Sequence, residues 1–304
     1  MKILIIGATS MIGKALCRRL EGWSEIIAVV REGKENIELG ENIEIVSSDM
    51  CNYSNIAEVI DGKIDAAVLL AWQGTRGNER NSHVIQKQNY DYNMVLIDEL
   101  IKLNVGKIII AGSQAEYGVM SGERMVDEKT EACPNTEYGK YKLKLYLDAK
   151  QKCDNKGITL IEIRIFSLYG PTDYENTLIM STLKKMINNE KCNLTECSQL
   201  WNFLYIDDAI EAMVRLLLSD CEAGVYNLAS KDTKTLKEFI MEMYVISESY
   251  SKMNFGTVDY PKTGKVNLNP SIEKLEAIGW KGNVSFEEGI RRILKKIRKS
   301  KDEL

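Results

Sequence analysis

Up to Phe166, short runs of β-branched and other apolar residues recur along the chain: "KILII", "EIIAVV", "IEIVS", "DAAVLLA", "KIIIAG" and "TLIEIRIF". They are almost continuously apolar, the pattern of strands buried on both faces of a parallel sheet. Between them, apolar residues return at helical spacing over Met11–Leu20, Ile56–Ile60 and Tyr90–Leu103. This alternation predicts a doubly wound α/β fold. After "FSLYGP" the polar stretches lengthen, and helical spacing returns near 176–189, Leu236–Tyr244 and Phe286–Ile297. "WNFLYIDDAIEAMVRLLL" reads as one more strand and helix. The expected layout is a first domain over 1–167, to which 201–221 returns, and a smaller region from 168–200 and 222–304. That smaller region is placed over the carboxyl ends of the strands, where open α/β sheets bind ligands.

Composition narrows the function. A chain of 304 residues with 44% hydrophobic content can bury a large core. A formal charge of −4 gives no electrostatic reason to bind nucleic acid or an anionic membrane. The seven cysteines are scattered and form no CxxC pair, as expected of reduced cytosolic thiols. His83 is the sole histidine, so a His-rich metal site is excluded and no metal is expected. No apolar run approaches the roughly 18 residues a membrane span needs, and the expected location is the cytoplasm. The terminal "KDEL" reads as coincidence, because that address acts only in a secretory lumen. The basic tail "RRILKKIRKSK" carries Ile293, Leu294 and Ile297 at helical spacing and reads as an amphipathic helix.

"GATSMIG" follows the first apolar run and opens the first predicted helix. Gly7 permits a sharp turn there, Gly13 allows close helix packing, and the exposed amides of the helix start attract a diphosphate. Two glycines alone also suit an ordinary turn. Ser10 stands at the middle position, where its small side chain tolerates a close phosphate and can donate a hydroxyl. Arg31, at the end of the second strand, suits a 2′-phosphate and so favours NADP(H) over NAD(H), or is simply an exposed strand end. Asp49, after the third strand, lies where an adenine edge would sit or serves as a turn aspartate.

"TEYGKYK" places Tyr138 and Lys142 one helical turn apart. A neighbouring ammonium stabilises a phenolate; lowering a tyrosine pKa by about three units is worth roughly 4 kcal/mol. Ser113, in "AGSQAEYG", ends a predicted strand, from which its hydroxyl can bond the same reacting oxygen.

These motifs, with "SSDM", "VLLAW", "QKQNYDYNM", "YGKYK", "RIFSLYGP", "WNFLYIDDA", "GVYNLAS" and "IGW", resemble the extended short-chain dehydrogenase/reductases of the sugar-nucleotide epimerase/dehydratase family over nearly the whole length. The resemblance implies a Rossmann fold and a catalytic Ser113, Tyr138 and Lys142. It implies cofactor contacts from Gly7, Thr9, Ser10, Met11, Ile12, Gly13, Arg31, Asp49, Met50, Leu70, Ala71, Trp72, Asn89 and Ile165, joined by Tyr138 and Lys142. It implies substrate contacts from Gln114, Glu116, Ser167, Asn176 and Trp201, although Ser167 and Trp201 replace the family's usual asparagine and arginine. Trp201 then stacks on a base or sugar or packs between domains; Glu116 touches a sugar hydroxyl or lies on the surface. Family dehydratases carry Asp-Glu after the catalytic hydroxyl, where Gln114 and Ala115 stand here, and enzymes that epimerise C3 and C5 use a cysteine and a histidine that His83 does not supply. A nucleotide-sugar 4-ketoreductase using NADPH is favoured, with an NAD-dependent 4-epimerase as the alternative. A non-catalytic dinucleotide sensor is the reading from another class. Family members often dimerise through the helices after Asn89 and around Tyr138, so a homodimer is expected.

Overall fold

The computed structural model describes residues 1–120, 124–260 and 265–302; the last two residues of the "KDEL" terminus lie outside them. Six strands come first: β1 (Lys2–Ile6), β2 (Glu25–Val30), β3 (Ile43–Ser47), β4 (Ala66–Leu69), β5 (Lys107–Ser113) and β6 (Thr159–Ile165). β7 (Ser167–Tyr169), β8 (Cys192–Asn193), β9 (Leu200–Tyr205), β10 (Gly224–Leu228), β11 (Thr233–Thr235) and β12 (Met253–Asn254) follow. The helices are α1 (Met11–Leu20), α2 (Ile56–Val59), α3 (His83–Lys102), α4 (Glu137–Asp154), α5 (Leu178–Ile187), α6 (Ile206–Leu218), α7 (Leu236–Ile246), α8 (Glu273–Ala277) and α9 (Phe286–Asp302).

One parallel sheet runs in the order β3-β2-β1-β4-β5-β6-β10. α1 and α6 cover one face, while α2, α3 and α4 cover the other. Within β1, Ile3 and Ile5 enter one core and Leu4 and Ile6 the other, all fully buried. A strand sandwiched this way has no solvent face, so its sequence cannot alternate. The doubly wound expectation therefore holds.

The later part of the chain departs from the expected layout. β9 lies in a small sheet, β11-β9-β7, and it is β10, beyond 221, that rejoins the large sheet beside β6. An apolar run as short as "WNFLY" is buried in either sheet and does not reveal which. α6 does return, packing on α1 with an Arg19–Glu211 ion pair. Beneath the small sheet, Tyr169, Phe203, Phe239 and Phe286 form an aromatic core, with Phe239 and Phe286 ring centroids 4.7 Å apart. α9 is amphipathic as read: Ile290, Ile293 and Leu294 are buried, while Arg291 and Arg292 pair outward with Glu287 and Glu288. Among the described residues, no helix is long and apolar enough to cross a membrane.

The strand order reverses between β1 and β4, so the loops leaving those two strands diverge and open a crevice at their carboxyl ends.

Candidate active site

The crevice is a trench with two continuous halves that share Leu70, Trp72 and Thr75. One half, of about 550 Å³, is lined by Gly7, Thr9, Ser10, Arg31, Met50 and Ala71 among others. Gly7 turns at φ +83°, and a Cβ on Gly13 would stand 2.5 Å from the Gly7 carbonyl oxygen, so both glycines are required by the turn and by the close approach of α1. Ser10 is the N-cap of α1: its Oγ accepts from the Gly13 amide at 3.0 Å, and its own hydroxyl proton remains free to donate. The amides of Met11 and Ile12, in the first turn, have no intrahelical acceptor and border the other half of the trench. Such a turn, which has no room for a Cβ at positions 7 and 13 and leads into free helix-start amides, fits a dinucleotide diphosphate.

Arg31 is exposed at the outer end of this half and forms no ion pair among the described residues. Ser48 and Met50 line the trench there, whereas the half-buried Asp49 does not. Asn89 does not line it either. Buried on α3, it accepts from the Gln73 amide at 2.8 Å and donates to the carbonyls of Gln73 and Ile85 at 2.9 Å, pinning the loop after β4. One turn earlier, the fully buried Gln86 does the same work: it accepts from the Trp72 indole at 2.8 Å and donates to the carbonyls of Gly74 and Glu79. Sequence reasoning missed Gln86, although its place one helical turn before Asn89 was a usable signal.

The other half, of about 510 Å³, brings together Ser113, Gln114, Tyr138, Lys142, Ile165, Ser167, Asn176 and Trp201. β5 delivers Ser113 at its carboxyl end, and α4, capped by Thr136, delivers Tyr138 and Lys142. Trp201 both lines the cavity and packs near Phe203, ring centroids 6.2 Å apart. His83 is exposed, paired with Glu137 at 3.0 Å. Among the described residues no cluster of metal-ligating side chains exists.

The electrostatics differ from the expected pairing of Tyr138 with Lys142. The Lys142 ammonium donates to the Ala111 carbonyl at 2.7 Å and lies 3.8 Å from the centroid of the Trp72 ring. Burial brings its pKa down to about 7, against the opposing charges of Glu116 and Glu162. The Tyr138 phenol is raised above its ordinary value, because burial outweighs the Arg80 charge and the Ser113 hydroxyl that favour ionisation. The cation nearest the phenol is thus Arg80, whose guanidinium carbon lies 4.3 Å from the ring centroid.

Glu116 is neither a substrate contact nor a surface residue. Its side chain is fully buried and closes a capping box, accepting from the Ser113 amide at 2.7 Å while Ser113 Oγ accepts from the Ala115 amide. Arg164 bridges Glu116 at 3.2 Å and Glu162 at 3.0 Å. Glu162 is raised well above the ordinary carboxyl range, first by burial and then by the Glu116 charge, and its Oε1 has no hydrogen-bond partner. A group whose folded pKa is raised contributes stability that is present below the unfolded value and lost as pH rises through the folded one. Glu162→Gln removes that loss, so we expect a variant that is as stable as the parent near pH 5 and about 1 kcal/mol more stable at pH 8. Urea midpoints at the two pH values check this, and a variant weakened at pH 8 would contradict it.

A Rossmann-type sheet, a diphosphate cradle at its switch point and a Ser-Tyr-Lys group beside it define a dinucleotide-dependent enzyme. The description "NAD dependent epimerase/dehydratase family" matches residues 3–229, and the chain belongs to that family. It is 26% identical to CDP-abequose synthase of Salmonella muenchen, over 96% of this chain and 97% of that protein. Its identity to dTDP-D-glucose 4,6-dehydratase of Bos taurus is 22%, over 88% of this chain and 77% of the relative. The crystal structure of UDP-glucose 4-epimerase from Thermus thermophilus, a complex with NAD, shares the fold at a TM-score of 0.85, with 17% identity, 98% of this chain and 99% of that chain covered.

Proposed function

We propose that the protein reduces the 4-keto group of a nucleotide-activated 6-deoxy sugar with NADPH. The carrying observation is that Ser113, Tyr138 and Lys142 share one cavity, in which burial raises the Tyr138 phenol above its ordinary pKa. A carbonyl being reduced gains negative charge on oxygen, and a protonated phenol held beside it is set to deliver the proton. Ser113 donates a hydrogen bond to that oxygen, orienting it and stabilising its charge. Lys142, with its pKa near neutrality, holds the floor of the site through Ala111 and Trp72. When bound, the nicotinamide supplies the hydride. Gly7, Thr9, Met11 and Ile12 would hold its diphosphate, and Arg31 the 2′-phosphate that marks NADP.

Gln114, Ser167, Asn176 and Trp201 are the proposed sugar-nucleotide contacts, with β7, β9 and the start of α5 on the substrate side of the cleft. Gln114 and Ala115, in place of two carboxylates, leave no acid-base pair for eliminating water. An NAD-retaining 4-epimerase is the second reading, favoured by the likeness to an epimerase solved with NAD. All seven cysteines are unpaired, which suits a reducing cytoplasm. A homodimer through α3 and α4 fits the exposure of Val95 and Leu147 on those helices.

The test is oxidation of NADPH and of NADH in the presence of CDP-, dTDP- and UDP-linked 4-keto-6-deoxy sugars. NADPH should be preferred, and Arg31→Asp should move the preference toward NADH by about tenfold, the worth of one charge-assisted hydrogen bond. An unchanged preference in that variant would remove the basis for assigning NADPH.

A further inference from the structure

Arg80 sits in the polar turn Gly77–Asn81, between the loop after β4 and α3, and borders the same cavity as Ser113, Tyr138 and Lys142. Its guanidinium covers the face of the Tyr138 ring, 4.3 Å from the centroid, while Nη1 donates to the Thr75 carbonyl at 2.8 Å. The turn that carries it is held by Gln86, which donates to the Gly74 carbonyl before the turn and to the Glu79 carbonyl within it. Trp72 meets Tyr138 edge-on with ring centroids 6.3 Å apart, and Lys142 Nζ lies over the Trp72 ring, 3.8 Å from its centroid and 5.8 Å from the Tyr138 centroid. Of the two cations beside the Tyr138 ring, the guanidinium is thus the nearer.

We propose that Arg80 is a positioning residue that acts through Tyr138, fixing the ring by its face and adding a constant positive charge that eases the loss of the phenol's proton. The inference rests on the reading of Tyr138 as proton donor. Every charged or titratable group facing the phenol is accounted for: Arg80 and the Ser113 hydroxyl favour ionisation, whereas Glu116, beneath Ser113, opposes it. Lys142 Nζ is 5.8 Å from the Tyr138 centroid and is committed to Ala111 and Trp72. A guanidinium cannot lose its proton in the working range, so its effect on the phenol is constant while Lys142 titrates.

The experiment needs no substrate. The full-length protein is labelled with 3-fluorotyrosine, whose phenol ionises more readily than that of tyrosine, and the Tyr138 fluorine resonance is assigned by its loss in Tyr138→Phe. Its titration midpoint is then followed in the parent, in Arg80→Gln and in Arg80→Lys. Removing a charge this close should raise the midpoint by about one pH unit in Arg80→Gln, and Arg80→Lys should return it toward the parent value. An unmoved midpoint in Arg80→Gln with unchanged circular dichroism, or an equal rise in Arg80→Lys, overturns the proposal. Should Arg80→Gln not fold, Arg80→Met replaces it, with the same upward shift required. Because the readout is a titration and not a turnover, failure here leaves the proposed reaction standing, and failure of the reaction leaves this result intact.

Discussion

Replacing Tyr138 with phenylalanine should lower kcat/KM about a thousandfold, a loss of ~4 kcal/mol of transition-state stabilisation. Cofactor affinity should fall far less than the rate. Phenylalanine keeps the edge contact with Trp72 and the face presented to Arg80, so only the transferable proton is lost. Ser113 can still bond the reacting oxygen, yet a hydroxyl of ordinary serine acidity does not replace a phenol as an acid. Steady-state rates together with NADPH binding, read by fluorescence, separate the two effects. A variant that turns over within tenfold of the parent would remove Tyr138 from the chemistry, and one that no longer binds cofactor would make it a structural residue.

Arg164→Leu should be the most destabilising single change near the site, by about 3–5 kcal/mol at pH 7, because it leaves two buried carboxyls without their shared cation. Arg164 holds down both Glu116 and Glu162; without it their folded pKa values rise further above the unfolded value. Stability from groups raised in this way is present at low pH and lost as pH rises. The deficit should therefore be smaller near pH 5 than at pH 8. Because Glu116 fixes the Ser113 amide, turnover should fall even at temperatures where the variant stays folded. Denaturant curves at the two pH values decide the matter, and a deficit that does not change with pH would mean that packing, not charge, is what Arg164 contributes.

The main sheet was legible because β1, β2, β4 and β5 are buried on both faces, and that requirement writes itself as unbroken apolar runs. The destination of β9 was not legible, since burial alone does not say against which sheet a strand lies. Ser113, Tyr138 and Lys142 stood out through residue type combined with position at a strand end and on one helix face. Arg80 and Gln86 did not. Arg80 lies in "QGTRGNERN", which has no periodicity, and its role comes from a turn held by distant side chains.

Glu116 was misread for an instructive reason. Seen alone, a carboxylate in a turn belongs on the surface or in a ligand site. The clue lay elsewhere, in "TLIEIRIF": Glu162 and Arg164 alternate on one face of a strand that is otherwise apolar and buried. A buried guanidinium has more donors than one carboxylate satisfies, and Glu116 shares Arg164 with Glu162. The burial around Tyr138 was likewise not legible, because spacing along a helix says which side chains share a face and nothing of the dielectric around them. Burial raises the phenol above its ordinary value in spite of the Arg80 charge.

The most direct test of the account follows a label from the cofactor. The enzyme is incubated with NADPH deuterated at the transferable C4 position and a nucleoside-diphosphate 4-keto-6-deoxy sugar, and the sugar product is weighed by mass spectrometry. The account predicts product heavier by one deuterium at C4, in stoichiometric step with NADPH consumed and abolished by Tyr138→Phe. Turnover of a nucleotide sugar with no deuterium gained and no NADPH consumed would contradict it, and would assign the site to an epimerase that returns its own hydride.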